Sequence, residues 1–295
     1  MKKGILLAIG AYSCWGLFPL YWKLLHHVPA MQVIGYRIVW SFLCLAIALL
    51  VLHQWNTFRD NAFGKRVLGI YMMAALLIGV NWLTFIWAVS ANHIVEVSLG
   101  YYIGPLISVL LGVLFFRENL RLWQWVSIGL AFAGVLYLTI AFGSLPWIAL
   151  TLAITFSLYG LVKKLAPLSS LNGLLLETSI LLLPAIGYLI FSNKAGNGTF
   201  LHTGFWIDAL LIGGGLVTTI PLLMFASAAQ RIPLSLIGIL QFIGPTLQFL
   251  IGILVYHEPF TQTKMVGYSF VWIAFSFFCL EGFITYRKSL LVIVK

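Results

Sequence analysis

Ten runs of about twenty apolar residues account for most of this 295-residue chain, and that spacing limits the fold more than any other feature. A helix of ~20 residues at 1.5 Å per residue spans the ~30 Å hydrocarbon core of a bilayer. Lipid offers no partner to backbone N–H and C=O groups, so each run must satisfy its own and therefore be helical. The runs are Gly4–Trp22, Gln32–Leu52, Val67–Val89, Val95–Phe116, Trp123–Phe142, Trp147–Val162, Gly173–Phe191, Trp206–Ala228, Leu234–Tyr256 and Met265–Phe283. Trp22, Trp123, Trp147 and Trp206 mark run ends, where an amphipathic ring suits the interface. The sixth run is short, and Lys163 and Lys164 extend it by snorkelling. The first runs past signal-peptide length without a small-residue cleavage pattern and reads as a membrane span. The predicted class is an all-α membrane protein of ten transmembrane helices.

Composition agrees. Only 8% of residues are charged and 62% are hydrophobic, whereas soluble proteins carry about 25% charged residues. The net charge of +10 does not point to nucleic acid, because the basic residues are scattered between the runs rather than gathered in a stripe. Their distribution sets orientation instead. Lys2, Lys3, Arg59, Lys65, Arg66, Arg117, Arg121, Lys163, Lys164, Arg231, Arg287, Lys288 and Lys295 fall on one side, thirteen in all. Lys23, Lys194 and Lys264, with Arg37 inside a run, make four on the other. The positive-inside rule puts both termini in the cytoplasm of a bacterial inner-membrane protein. Cys14, Cys44 and Cys279 lie in apolar runs, match no metal or redox spacing and read as packing residues.

The chain resembles itself at an offset of 140. Residues 103–118 read IGPLISVLLGVLFFRE and residues 243–258 read IGPTLQFLIGILVYHE, with seven of sixteen positions identical. These are the fourth and ninth runs, so each repeat, 1–142 and 143–295, holds five. An odd number inserts the two halves upside down relative to each other. Inverted repeats recur in secondary transporters, with the site between the repeats near the midplane.

Intramembrane polar residues are few. Arg37 and Glu177 lie ~9 Å inside their runs and are again 140 apart. Charges at such depth face a cavity or a partner, and a structural ion pair is the alternative role. Pro105 and Pro245 fall near the midplane, and each deprives the carbonyl four residues back of its donor, that of Tyr101 and of Gln241. Pro19 does the same to Trp15, and Pro221 to Val217. Such carbonyls line a cavity or are re-paired by neighbours. Asn81, Tyr102, Tyr159 and Gln248 complete the set, each also suited to an interhelical hydrogen bond. Glu118 and Glu258 end their helices, where the macrodipole disfavours a carboxylate, so a basic partner such as Arg117 or Lys264 is expected.

The segments GVNWLTFIWAV (79–89), EVSLGYYIGPL (96–106), SLYGLVKK (157–164), VTTIPLLMF (217–225) and QFIGPTLQF (241–249) resemble the EamA-type branch of the drug/metabolite transporter superfamily. The resemblance covers nearly the whole chain. It implies ten helices in two inverted five-helix halves, cytoplasmic termini, a central cavity and permease activity on small metabolites, amino acids or related compounds among them. It carries Asn81, Trp82, Glu96, Tyr101, Thr218 and Gln241 over as candidate functional residues. Where that pattern favours asparagine before the first-half proline, this chain has Gly104.

The reading is therefore a secondary transporter working by alternating access as exporter or exchanger. A channel or passive scaffold, and more distantly an intramembrane enzyme, are the alternatives. No nucleotide-binding loop is present to supply ATP drive, and neither cofactor nor metal is expected. Expected partners are a small solute, the bilayer and, as coupling ion, protons, with Glu177 a candidate for proton exchange. The substrate site is expected between the fourth and ninth runs, built from Trp15, Asn81, Trp82, Tyr101, Tyr102, Tyr159, Thr218 and Gln241. Arg37, Glu96, Glu177, Pro105 and Pro245 are the coupling or gating candidates.

Overall fold

The computed structural model describes residues 1–91, 93–143, 147–256 and 262–293, with side chains except at 89, 90, 94–96, 98, 142, 264, 268 and 282–293. The described elements are helical. They are α1 (Lys2–Trp22), α2 (Ala30–Val51), α3 (Trp55–Ala62), α4 (Lys65–Ser90), α5 (Ile94–Phe116) and α6 (Leu122–Phe142), then α7 (Trp147–Leu165), α8 (Ser170–Lys194), α9 (Phe205–Ala229), α10 (Leu234–Leu240), α11 (Ile243–Leu254) and α12 (Gln262–Ile293). Among the described residues nine stretches are long and apolar enough to cross a bilayer, α10 and α11 together forming one of them. α12 contributes a shorter apolar stretch, Met265–Glu281.

The bundle is built for lipid. Leu6, Ile47, Leu114, Phe115, Ile140, Leu183 and Phe191 stand on its outside, more than half exposed, which only an apolar surrounding accommodates at such density. Hydroxyls inside the helices turn back on their own backbone: Thr178 Oγ1 donates to the Leu174 carbonyl at 2.9 Å and Thr139 Oγ1 to that of Val135 at 2.8 Å. The polar connection after α2 holds the short helix α3, which buries Phe58 and Ala62 and leaves Arg59 and Asp60 outside.

Helix starts repeat. Ala30 and Ser170, Lys65 and Phe205, Ile94 and Leu234, and Leu122 and Gln262 are each 140 residues apart. Packing repeats as well. α1 packs on α9 as α7 packs on α4, α2 on α9 as α8 on α4, and α5 on α7 as α11 on α1. α2 with α8, α5 with α10, and α6 with α12 pair across the halves. Glycines permit the closest crossings: a Cβ on Gly238 of α10 would stand 2.6 Å from the Pro105 carbonyl oxygen of α5.

Two sequence expectations change. The ninth run remains one apolar stretch, Leu234–Leu254, but is formed by two helices rather than one, broken at Gln241–Phe242, whereas α5 runs unbroken through Pro105. The Gln241 carbonyl that Pro245 deprives of a donor is taken by the Gly244 N–H at 3.2 Å, a tighter turn that ends α10. Lys163 does not snorkel. α7 extends to Leu165, and the lysine is buried inside the bundle, because a carboxylate on α8 meets it there.

Candidate functional site

That carboxylate is Glu177. Lys163 Nζ donates to its Oε1 at 2.6 Å and Tyr159 OH to its Oε2 at 2.9 Å. Both charged side chains are almost wholly excluded from solvent, at 1% and 2% exposure. Tyr159 and Lys163 are four residues apart on α7 and so share a face. Lys163 also stands over the Tyr71 ring, 5.5 Å from its centroid, and the Tyr71 hydroxyl accepts the Leu168 N–H at 3.2 Å.

Beside this pair lies a second seal. Glu118, at the end of α5, accepts the Leu234 and Ser235 N–H groups at 2.8 and 2.9 Å. A carboxylate so placed satisfies two orphan donors of α10 and complements its positive end. A basic partner is present, but it is Lys164 of α7, 4.0 Å away, rather than the adjacent Arg117; the Lys164 Nζ also donates to the Ile232 carbonyl at 2.6 Å. Glu258, its counterpart, lies outside the described residues. Above these polar ties an aromatic cluster joins three helices. Trp15 of α1 contacts Phe156 of α7 and Phe225 of α9 at centroid distances of 5.6 Å each. Tyr159 stacks on Phe225 at 6.0 Å, and Tyr12 meets Trp15 edge-on at 5.5 Å. Tyr12, Tyr71, Tyr159, Lys163 and Phe225 are fully buried, so this end of the bundle is closed.

Arg37 stands apart from these ties, on α2. Its Nε donates to Thr218 Oγ1 of α9 at 2.9 Å. Its guanidinium carbon stands over two indoles, 4.6 Å from the centroid of the Trp22 ring of α1 and 4.8 Å from that of the Trp82 ring of α4. The Tyr101 hydroxyl of α5 is within its electrostatic reach, and the Tyr101 ring packs 6.3 Å from Phe85. Arg37 thus joins Trp22 and Trp82, Phe85 joins Tyr101, and each of these five side chains keeps some accessible surface. Trp15 and Trp22 are seven residues apart on α1, so the arginine level stands about 10 Å, two turns, from the aromatic floor.

The structure thus brings Arg37, Trp82, Tyr101 and Thr218 together and adds Trp22, which sequence reasoning had assigned to the interface. It sets Trp15 in the aromatic floor and Tyr159 on Glu177. Tyr102 is buried against Phe242 at 6.4 Å. Asn81 ties α4 to α7, donating to the Leu152 carbonyl and Thr155 Oγ1 at 2.9 Å each. The carbonyl that Pro19 frees, that of Trp15, accepts Gln248 Nε2 at 3.1 Å. Gln241 is buried at the α10 break beside Gly104, with no partner for its Oε1 among the described residues, and a Cβ on Gly104 would stand 2.9 Å from its Nε2. Pro105 and Pro245 lie on the facing helices α5 and α11, and the Glu96 side chain lies outside the described residues. Arg37 and Glu177 have separate partners. Lys163 was missed although its spacing from Tyr159 put both on one face; Phe156 and Phe225 carried no signal among so many apolar aromatics.

The family model described as the EamA-like transporter family matches residues 2–140. The chain is 43% identical over 288 residues to protein RarD of Streptomyces exfoliatus, covering 98% of this chain and 91% of that one. It is 44% identical over 281 residues to the uncharacterized transporter YojE of Bacillus subtilis, covering 94% and 93%. With protein RarD of Escherichia coli K12 it shares 40% over 288 residues, covering 98% and 97%. One solved crystal structure, 16% identical, superposes with a TM-score of 0.68 over 94% of this chain and 96% of the other, a likeness of fold.

Proposed function

The chain belongs to the RarD branch of the EamA-like transporter family and is a multi-pass membrane transporter, and from that premise we propose that it is a secondary transporter moving small metabolites by alternating access. Ten spans form two inverted five-helix repeats, residues 1–142 and 143–295, which exchange roles as the site opens first to one side and then to the other. The observation that carries this reading is the doubled packing: four helix starts recur at an offset of 140, and three of the helix pairings between the halves occur twice with the halves exchanged. Two halves that can swap conformations supply the two access states such a carrier needs.

Both termini lie in the cytoplasm by the thirteen-to-four asymmetry of basic residues. The sealed end, with Glu118, Lys163, Lys164 and Glu177, is then the cytoplasmic gate in its closed form, and the cavity at Arg37 faces outward. The substrate site comprises that cavity and its floor: Trp82, Tyr101 and Thr218 at the arginine level, Trp15 below, with Asn81, Tyr102 and Gln241 shaping the walls from behind. Tyr159 links the floor to Glu177. Arg37, Glu96 and Glu177, with the helix irregularities at Pro105 and Pro245, are the coupling and gating elements. Opening the cytoplasmic gate separates Lys163 from Glu177, and a proton taken up by the carboxylate at that moment would spare the bilayer a bare charge.

The test is flux of a metabolite library into and out of proteoliposomes holding the purified chain, with and without a proton gradient. Counterflow of at least one solute is expected. Retention of every solute, by protein that is folded and correctly inserted, would remove the carrier reading and leave a scaffold; product formation without flux would indicate an enzyme.

A further inference from the structure

Arg37 is a cation prepared for a guest. A guanidinium carries five N–H donors in one plane. Among the described residues one of them, Nε–H, is engaged, on Thr218 Oγ1 at 2.9 Å. No described carboxylate pairs with Arg37, and the other described carboxylates are engaged elsewhere: Glu177 with Lys163, Glu118 at the α10 N-terminus, Glu281 with Arg121, Asp60 with Arg59, and Asp208 with the Leu201 N–H. An arginine at membrane depth is costly unless something offsets its charge. Here its guanidinium carbon stands over the Trp22 and Trp82 rings, 4.6 and 4.8 Å from their centroids. These cation–π contacts stabilise the charge, but among the described residues they leave the edge with the two Nη groups without a hydrogen-bond acceptor. Tyr101 lies within electrostatic reach, and no described residue receives a hydrogen bond from its hydroxyl.

We propose that this edge is the acid-group anchor of the transported solute: Arg37 receives a carboxylate through its two Nη groups, and the substrates are small monocarboxylates with an apolar or aromatic body. A planar two-oxygen anion matches the guanidinium fork, and two parallel charge-assisted bonds result. The charge is one rather than two, because two further cations of the bundle are already engaged. Lys163 is neutralised by Glu177, and Lys23 sits on the Tyr256 ring, 3.5 Å from its centroid. The body is apolar because the walls are: Trp82, Phe85 and Tyr101 at the sides and Trp15 with Phe156 about 10 Å below, the length of a small solute. The inference rests on the transporter reading and names the substrate class of the same cavity.

The experiment is a thermal-stability titration of the purified chain in detergent with benzoate, 3-phenylpropanoate and 4-methylpentanoate, each against its own amide and the amine of equal length. At least one acid should stabilise the protein, and its amide and amine should not. Arg37→Met should weaken that acid by about tenfold or more, the equivalent of one charged contact, and Arg37→Lys should fall between the two. Equal stabilisation by an amide or amine, undiminished acid binding in Arg37→Met, or no response to any acid would each overturn the proposal. The acid-against-amide comparison needs no variant and stands even if Arg37→Met folds poorly. Counterflow in proteoliposomes keeps the two readings apart: a neutral or cationic solute carried by the native chain would sink the carboxylate anchor and leave the carrier intact.

Discussion

Removing Glu177 while Lys163 remains should be among the most damaging single changes available in this bundle. The pair is short, 2.6 Å, and both side chains are at most 2% exposed, so neither charge can turn to water when the other is lost. Breaking such a pair from one side costs about 3–5 kcal/mol, mostly the penalty of the stranded ion. Glu177→Leu should therefore lose roughly that much. Tyr159→Phe, which takes away a single bond to the carboxylate, should lose about 1.5–3 kcal/mol. Lys163→Met should cost a similar ~3–5 kcal/mol, and the double variant Lys163→Met with Glu177→Leu, which removes both charges, should be less damaging than Glu177→Leu alone, so that the coupling energy exceeds the cost of Lys163→Met. Reversible unfolding of the purified protein in mixed micelles measures all four corners of the cycle. If Glu177→Leu unfolds within about 0.5 kcal/mol of the native protein, or the double variant loses the sum of the singles, the ions are not held together as described.

Three further outcomes follow from named contacts. Glu118→Ala strips two N–H groups of α10 of their acceptor and should cost about 0.5–2 kcal/mol in the same unfolding assay. Gly238→Ala forces a Cβ onto the Pro105 carbonyl and should lose about 1–3 kcal/mol; Gly129→Ala, with open space around it, should be neutral or slightly stabilising, and the reverse order would refute the tight crossing. In a background lacking Cys14, Cys44 and Cys279, a membrane-impermeant maleimide applied to whole cells should label Leu201→Cys and spare Asn61→Cys, and the opposite pattern would invert the proposed orientation.

The amino-acid sequence by itself determined that this chain lives in lipid and where its helices begin. Apolar length and sparse charge leave a backbone in hydrocarbon little choice but helix, and four of the helix starts keep the 140-residue offset that the matched Gly-Pro and Glu residues announced. It also singled out Arg37 and Glu177, because charge at depth is rare enough to read without coordinates. What it could not decide was the partner of each. Lys163 counts as a loop residue until α8 brings Glu177 against it, and Trp22 as an interface anchor until α2 carries Arg37 beneath its ring. Pro105 and Pro245 occupy matched places, yet one helix runs on and the other breaks, with Gly244 taking the Gln241 carbonyl. Helix formation in a membrane is a local matter of hydrogen bonds along one segment. Which polar groups meet depends on how those helices rotate and cross, and residues more than a hundred positions apart settle that together.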